Sequence, residues 1–324
     1  MSGPPFLDAD AIVSAVPIGD VVDAVEAAFR DVAAGRDRSP LRFHVPLEGG
    51  DLLLMPGVRA GASGTSVKLV TVMPENAARG RPTVQAVICW FDAATGEPLA
   101  LLDGPTVTAM RTGAASGVAT RLLARPDAAT LTVIGAGAQA EWQVRAVQAV
   151  RPIERVLVCA RSEGSRERFA ERIGAVTGLD ARAAPDPEAA VREADVVCCA
   201  TTSEVPVFEA GWLRAGAHVN GIGAFRLGMV ELPPDLFGIA SPIAVDSLQA
   251  AMAEAGDLVA AIERGLASEA DLVEIGTIEP DWVATRDPQA ITAFKSVGLA
   301  IQDVAAAELI VARLLPGAES PSGE

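Results

Sequence analysis

Apolar residues recur every three or four positions over 18–34, where Val21, Val25, Phe29 and Val32 line one side. That period predicts an amphipathic helix. The pattern then shortens into the runs LLLM (52–55), SVKLVTVM (66–73), TVQAVICWF (83–91) and PLALL (98–102). Each has the length of a strand, and the Gly- and Pro-bearing segments GVRAGASG and ATGEP read as turns between them. The first hundred residues are therefore expected to form a small α+β unit with a largely antiparallel sheet. Pro105 suits a first helical position. From there Val107, Met110, Ala114, Val118 and Leu122 carry a helical period to about residue 124, a helix expected to bridge into a second domain.

From residue 130 the texture changes. LTVI (131–134), RVLVC (155–159), DVVCCA (195–200), AHVNGI (217–222) and PIAV (242–245) alternate with helix-like segments. Continuous apolar strands separated by helices imply a parallel sheet covered on both faces. The fold class expected is α/β, a Rossmann-type doubly wound sheet joined to the smaller α+β domain. After ITAFKSV (291–297) a last amphipathic helix is expected near 299–314, able to pack back on the first domain.

The segment TVIGAGAQAEW (132–142) places G-x-G-x-x-A between a strand and a helix. Gly135 allows the tight turn, Gly137 lets the backbone approach a pyrophosphate, and Ala140 is small enough for close helix packing. The free N–H groups of the helix start attract phosphate. The second strand ends in Cys159-Ala160-Arg161-Ser162, with Arg166 a turn later, and no acid stands at the strand end to accept from the ribose hydroxyls of NAD. Arg161 and Ser162 suit a 2′-phosphate. NADPH is thus the expected cofactor, with NADH as the alternative.

Charge narrows the partners. At 324 residues the chain carries a net charge of −16 and no basic cluster, which argues against nucleic acid and against an anionic membrane surface. No apolar run approaches the length needed to cross a bilayer. The start, MSGPPFLDAD, lacks the features of a signal peptide. The tail PGAESPSGE reads as disordered. Cys89, Cys159, Cys198 and Cys199 make no C-x-x-C pair, and His44 and His218 lie far apart, so no metal is expected and a cytoplasmic location is.

Against this background Lys68 is anomalous. It interrupts SVKLVTVM with apolar residues on both strand faces, so its ammonium requires an anionic partner or a lowered pKa. A substrate carboxylate and an internal Asp or Glu are both open as that partner. Arg111 sits among small residues in TAMRTGAASG, and Arg42 opens RFHVP. Three such cations beside a nucleotide fold suggest an acid substrate.

Arg42 with LMPG (54–57), VKLVTVMPEN (67–76), TAMRTGAASGVAT (108–120), VIGAGAQAEWQ (133–143), HVNGIGAFRLGMVEL (218–232), AVDSLQAAMAEAGD (244–257) and FKSVGLAIQD (294–303) together resemble the ornithine cyclodeaminase/mu-crystallin family over nearly the whole chain. The resemblance implies a substrate-binding and dimerisation domain of residues 1–114 with 298–324, a dinucleotide-binding domain of residues 115–297, and a homodimer. It implies that Arg42, Lys68 and Arg111 hold a substrate carboxylate. It also implies that Thr112, Gly137, Ala138 and Gln139 touch the cofactor. Thr201 and Gly223 complete the candidate cofactor-binding set with Gly135, Arg161, Ser162 and Arg166.

Family members differ in reaction. Cyclodeaminases carry an acid before Leu-Met-Pro and an Asp in the later glycine motif; here those positions are Leu53 and Phe225, which disfavours ornithine cyclodeamination and suits an apolar substrate body. The expected activity is reduction of a 2-imino acid, a cyclic ketimine such as pyrroline or piperideine carboxylate, by hydride transfer from the nicotinamide. Lys68 and Arg111 are the candidate catalytic residues. For the proton donor, solvent and Lys68 are both open, and Asp103, Gln85 and His44 are weaker candidates. An alanine-type amino-acid dehydrogenase and a non-catalytic NADPH-dependent binding protein are the alternatives.

Overall fold

The computed structural model describes residues 3–316 and divides into two compact units, one of residues 1–111 with 299–324 and one of residues 112–298. Residues 317–324 of the C-terminal tail lie outside the described part.

The first unit opens with β1 (Phe6–Leu7), α1 (Ala9–Ala15) and α2 (Ile18–Ala33). Asp8 caps α1 by accepting from the Ala11 amide at 2.9 Å. Then follow β2 (Phe43–Leu47), β3 (Gly50–Gly57), β4 (Gly64–Val72), β5 (Val84–Asp92) and β6 (Pro98–Asp103). They form a six-stranded sheet in the order β1-β6-β5-β4-β3-β2. All its pairings are antiparallel except β1 with β6. The helix α3 (Gly104–Leu123) begins in this unit, and the Asp103 carboxylate accepts from the Thr106 amide in its first turn. From Ala109 to Ala124 nearly every residue of α3 and its end is buried, which accounts for small and apolar residues all round it.

The second unit carries β7 (Thr130–Ile134), α4 (Ala138–Val150), β8 (Arg155–Cys159), α5 (Glu163–Thr177), β9 (Asp180–Ala183), α6 (Pro187–Glu193), β10 (Val196–Cys199) and β11 (His218–Gly221). It continues through α7 (Pro234–Phe237), β12 (Ala240–Val245), α8 (Leu248–Glu254), α9 (Gly256–Glu263), β13 (Leu272–Glu274), α10 (Trp282–Thr285) and β14 (Ile291–Lys295). The eight strands are all parallel, in the order β13-β12-β14-β11-β10-β7-β8-β9. This is the doubly wound sheet expected from the apolar runs. Its order reverses between β7 and β10, and a crevice at the carboxyl ends of strands forms at such a switch. Leu131, Val133, Val156, Val158, Val196 and Cys198 pack with Val144, Val147, Phe169 and Ile173 of α4 and α5 as the core of this half.

The last helix, α11 (Ala300–Leu314), belongs to the first unit. Ile301 and Ala305 pack against Ala28 of α2, and the helix also lies against β3 and β4. No described helix is long and apolar enough to cross a membrane.

Candidate active site

Strand pairing fixes where Lys68 points. Gly64, Ser66, Lys68 and Val70 form the buried face of β4, and Lys68 pairs with Met55 on one side and Ile88 on the other. A lysine held between these neighbours is 1% exposed and can satisfy its ammonium only above the sheet. There α11 supplies the anion. Asp303, fully buried, places Oδ2 2.7 Å from Lys68 Nζ and accepts from Arg111 Nε at Oδ1, 3.0 Å away. Arg111 Nη1 donates to Gln302 Oε1 at 2.7 Å. One turn of α11 thus holds both cations, and one carboxylate serves two of them.

The anionic partner left open by the sequence is therefore an internal aspartate, yet burial still acts on the lysine. Loss of solvent, and then the positive charge of Arg111, push the Lys68 pKa down to about 7; Asp303 opposes this and Arg42 reinforces it. The half-buried Arg42 therefore acts electrostatically on the same ammonium. Leu53 lies on β3 two residues before Met55, 4% exposed and opposite Val70, so the lining at that position is apolar. His44 sits on the edge strand β2 with its whole strand exposed, and Gln85 is exposed on β5.

The second unit holds a cleft of about 910 Å³ at the carboxyl ends of β7, β8 and β10. It is lined by Gly135 and Gly137 after β7, by Arg161 and Ser162 after β8, and by Thr201 and Ser203 after β10. Gly135 has φ +118°, and a Cβ there would stand 2.5 Å from the Ala200 carbonyl oxygen, so only glycine makes this turn. At Gly137 a Cβ would meet nothing within 4 Å, and this residue caps the N-terminus of α4 with extended backbone. The result is an open cradle against free helix N–H groups, which suits a pyrophosphate. Ser162 caps α5; its hydroxyl accepts from the Ser165 amide at 3.2 Å and donates to Ser165 Oγ at 2.7 Å. No Asp or Glu is among the described residues lining the cleft. The residues present fit a dinucleotide.

Not every candidate lies there. Arg166 turns back to donate to the Ala160 carbonyl at 3.1 Å and shapes the Arg161 turn from behind. Thr112, Ala138, Gln139 and Gly223 are not among the lining residues. Ala138 and Gln139 form the first turn of α4, Thr112 is buried in α3, and the Gly223 amide is taken by the Glu231 carboxylate at 2.8 Å. Phe225 lies in the segment after β11 with the Arg226 guanidinium 5.9 Å from its ring centre.

Sequence reasoning missed Asp303, Gln302, Glu231 and Lys295. The signal was available: each is a charged or polar residue inside an apolar run, the same irregularity that singled out Lys68.

The family model for the ornithine cyclodeaminase/mu-crystallin family matches residues 5–317. A Delta(1)-pyrroline-2-carboxylate reductase of Bacillus cereus is 40% identical over 304 residues, covering 93% of each chain. The structure of the Thermococcus litoralis Delta(1)-pyrroline-2-carboxylate reductase in complex with NADH and L-proline superposes with a TM-score of 0.90 at 34% identity, covering 98% of this chain and 99% of that one. An archaeal alanine dehydrogenase dimer with bound NAD gives a TM-score of 0.87 at 33% identity, covering 97% and 96%.

Proposed function

The chain belongs to the ornithine cyclodeaminase/mu-crystallin family, and from that premise we propose that it is an NADPH-using reductase of cyclic 2-imino acids. It is an oxidoreductase acting on a C–N bond, and its substrate class is that of pyrroline-2-carboxylate. The observation that carries the reading is the buried pair of cations, Lys68 and Arg111, sharing the single carboxylate of Asp303. Two buried positive charges against one negative leave a surplus that a substrate carboxylate neutralises.

Arg111 uses Nε and Nη1 on α11, which leaves Nη2 to meet a carboxylate, and Arg42 completes the clamp. Lys68, with a pKa near neutrality, gives a proton from Nζ to the imine nitrogen and regains it from solvent. Asp303 stabilises the ammonium before transfer. The reduced dinucleotide, when bound, supplies the hydride that the imine carbon accepts. Gly135, Gly137 and the start of α4 hold its pyrophosphate. Arg161, Ser162 and Ser165 receive the 2′-phosphate, and no carboxylate among the described lining residues stands ready for a free ribose hydroxyl. The solved relatives hold NADH or NAD, so the preference for NADPH is a property proposed for this chain's own Arg161-Ser162 turn.

Leu53 and Phe225 leave no acid for the distal amine of ornithine, which turns the reading away from cyclodeamination. The homology to an alanine dehydrogenase keeps one second reading in view, the reversible amination of a keto acid. Initial rates with pyrroline-2-carboxylate or piperideine-2-carboxylate, with and without ammonia, separate the two. Turnover without ammonia supports the imine reductase; turnover only with ammonia and a keto acid overturns it.

The chain acts as a homodimer through β2, an edge strand whose Phe43, Val45 and Leu47 are all exposed. An apolar edge of this kind is a template for pairing with a second copy across a two-fold axis. Four unpaired cysteines fit a cytoplasmic enzyme.

A further inference from the structure

The chain contains 26 Lys and Arg residues, and only two of them, Lys68 and Lys295, are lysine. Both are fully buried. Lys68 belongs to the clamp; Lys295 does not. It ends β14, donates to the Ala224 carbonyl at 2.7 Å and stands 3.3 Å from the Asp257 carboxylate of α9. The Glu231 carboxylate, also fully buried, feels its charge.

Glu231 makes three contacts to backbone. One carboxylate oxygen accepts from the Thr201 amide and the other from the Gly223 amide at 2.8 Å. Its own carbonyl accepts from the Val207 amide at 3.0 Å. The segment 201–207 is a wall of the dinucleotide cleft, and this one residue grips both its ends. The segment 223–231, which carries Phe225, is closed by the same side chain. Apolar burial does not hold the tips of these segments: Val205 is 67% exposed and Leu227 55%. Ala224, Met229 and Phe208 are buried at the bases of the segments, and the polar anchor acts together with them.

We propose that Glu231 is a positioning residue that fixes the dinucleotide wall and the Phe225 segment from one buried point. The proposal rests on the reading of the cleft as the dinucleotide site. Burial raises the Glu231 pKa and Lys295 is the strongest influence lowering it, ahead of the Thr201 and Gly223 amides. The other charged or titratable groups around the cluster are Asp257 on α9 and Cys198 and Cys199 on β10. When Glu231 is protonated, one of its oxygens becomes a donor and faces an amide N–H that also donates.

Two readouts test this. Hydrogen exchange of the dinucleotide-free chain, followed in peptides spanning 200–208 and 222–230, reads the anchor itself. Titration with NADPH, followed by calorimetry, reads its use. In E231Q, which preserves shape, exchange rises in both peptides and NADPH affinity falls about tenfold or more, the scale of one lost charge-assisted hydrogen bond. K295M in a D257N background keeps the number of buried charges balanced. Its NADPH affinity is expected to weaken as the pH is lowered, and to do so at higher pH than in the wild type, because the largest influence that keeps Glu231 ionised has been removed. A destabilising substitution without a positioning role produces no such pH dependence. Unchanged exchange in E231Q overturns the anchor. Raised exchange with unchanged NADPH affinity overturns its role in binding. A wild-type chain that binds no NADPH overturns the cleft reading, and Glu231's role in binding with it, while the exchange arm still reads the anchor.

Discussion

At the scale of single residues, the clamp is a problem of buried charge. Lys68 is held near neutrality by opposed influences, with burial and Arg111 pulling its pKa down and Asp303 pulling it up. On the proposed mechanism, reduction needs the proton on Nζ, and oxidation of the amine needs it absent. The reductive kcat/KM is therefore expected to fall above pH about 7, and the oxidative kcat/KM to rise to a plateau through the same range. Matching limbs of opposite sign in the two directions support Lys68 as the proton carrier; limbs of the same sign contradict it. Asp303→Asn removes the upward influence, so the reductive limb moves to lower pH, by roughly one unit or more. The same change leaves the buried Arg111 guanidinium without its carboxylate and lowers stability by about 3–5 kcal/mol, measurable by urea unfolding. At the other site, Arg161→Ala reduces the ratio of kcat/KM for NADPH over NADH by about tenfold or more, the scale of one lost charge-assisted phosphate contact. An unchanged ratio places the cofactor preference elsewhere. Lys68 was legible because an ammonium in an apolar strand cannot be bland. The pairing was not: Asp303 also interrupts an apolar run, but it lies 235 positions later on a helix whose docking face strand alternation cannot reveal.

At the scale of elements, periodicity read most of the chain. The runs at 52–55, 66–73, 83–91 and 98–102 became β3 to β6, and the helical period at 18–34 became α2. The apolar runs from 131 onward became the core strands of the parallel sheet. What escaped was short or lacked a pattern: β1 has two residues, β2 is exposed at all five positions, and β9 reads DARA. Alternation is legible only over several residues with one face more buried than the other: β2 has no buried face, and β1 and β9 alternate but run for only two and four residues. The helix α11 is different, because it combines packing and chemistry. Ile301, fully buried against α2, anchors the turn that carries Gln302 and Asp303. Ile301→Ala is expected to cost about 2–4 kcal/mol by urea unfolding, and to lower reductase activity in the folded protein by loosening Asp303. Activity unchanged at full folding would separate the packing of α11 from the clamp.

At the scale of the whole molecule, a net charge of −16 coexists with a concentrated positive cluster inside the first unit. On the proposed mechanism the buried cluster selects an anion despite the overall negative charge. The proposed self-association uses the edge at β2. Val45→Lys puts a charge on that edge, where lysine blocks strand pairing, and the sedimentation coefficient should drop to that of a monomer. A dimer that survives the change places the interface on another surface. Reaction chemistry was the least legible property, because the absence of acids at Leu53 and Phe225 excludes one reaction without choosing among the others. The most direct measurement is NADPH oxidation with pyrroline-2-carboxylate in ammonia-free buffer, with wild type beside Lys68→Ala. Rapid oxidation by the wild type, lost in the variant, is the result predicted here. Equal rates in both, or no oxidation until ammonia and a keto acid are added, would contradict the account.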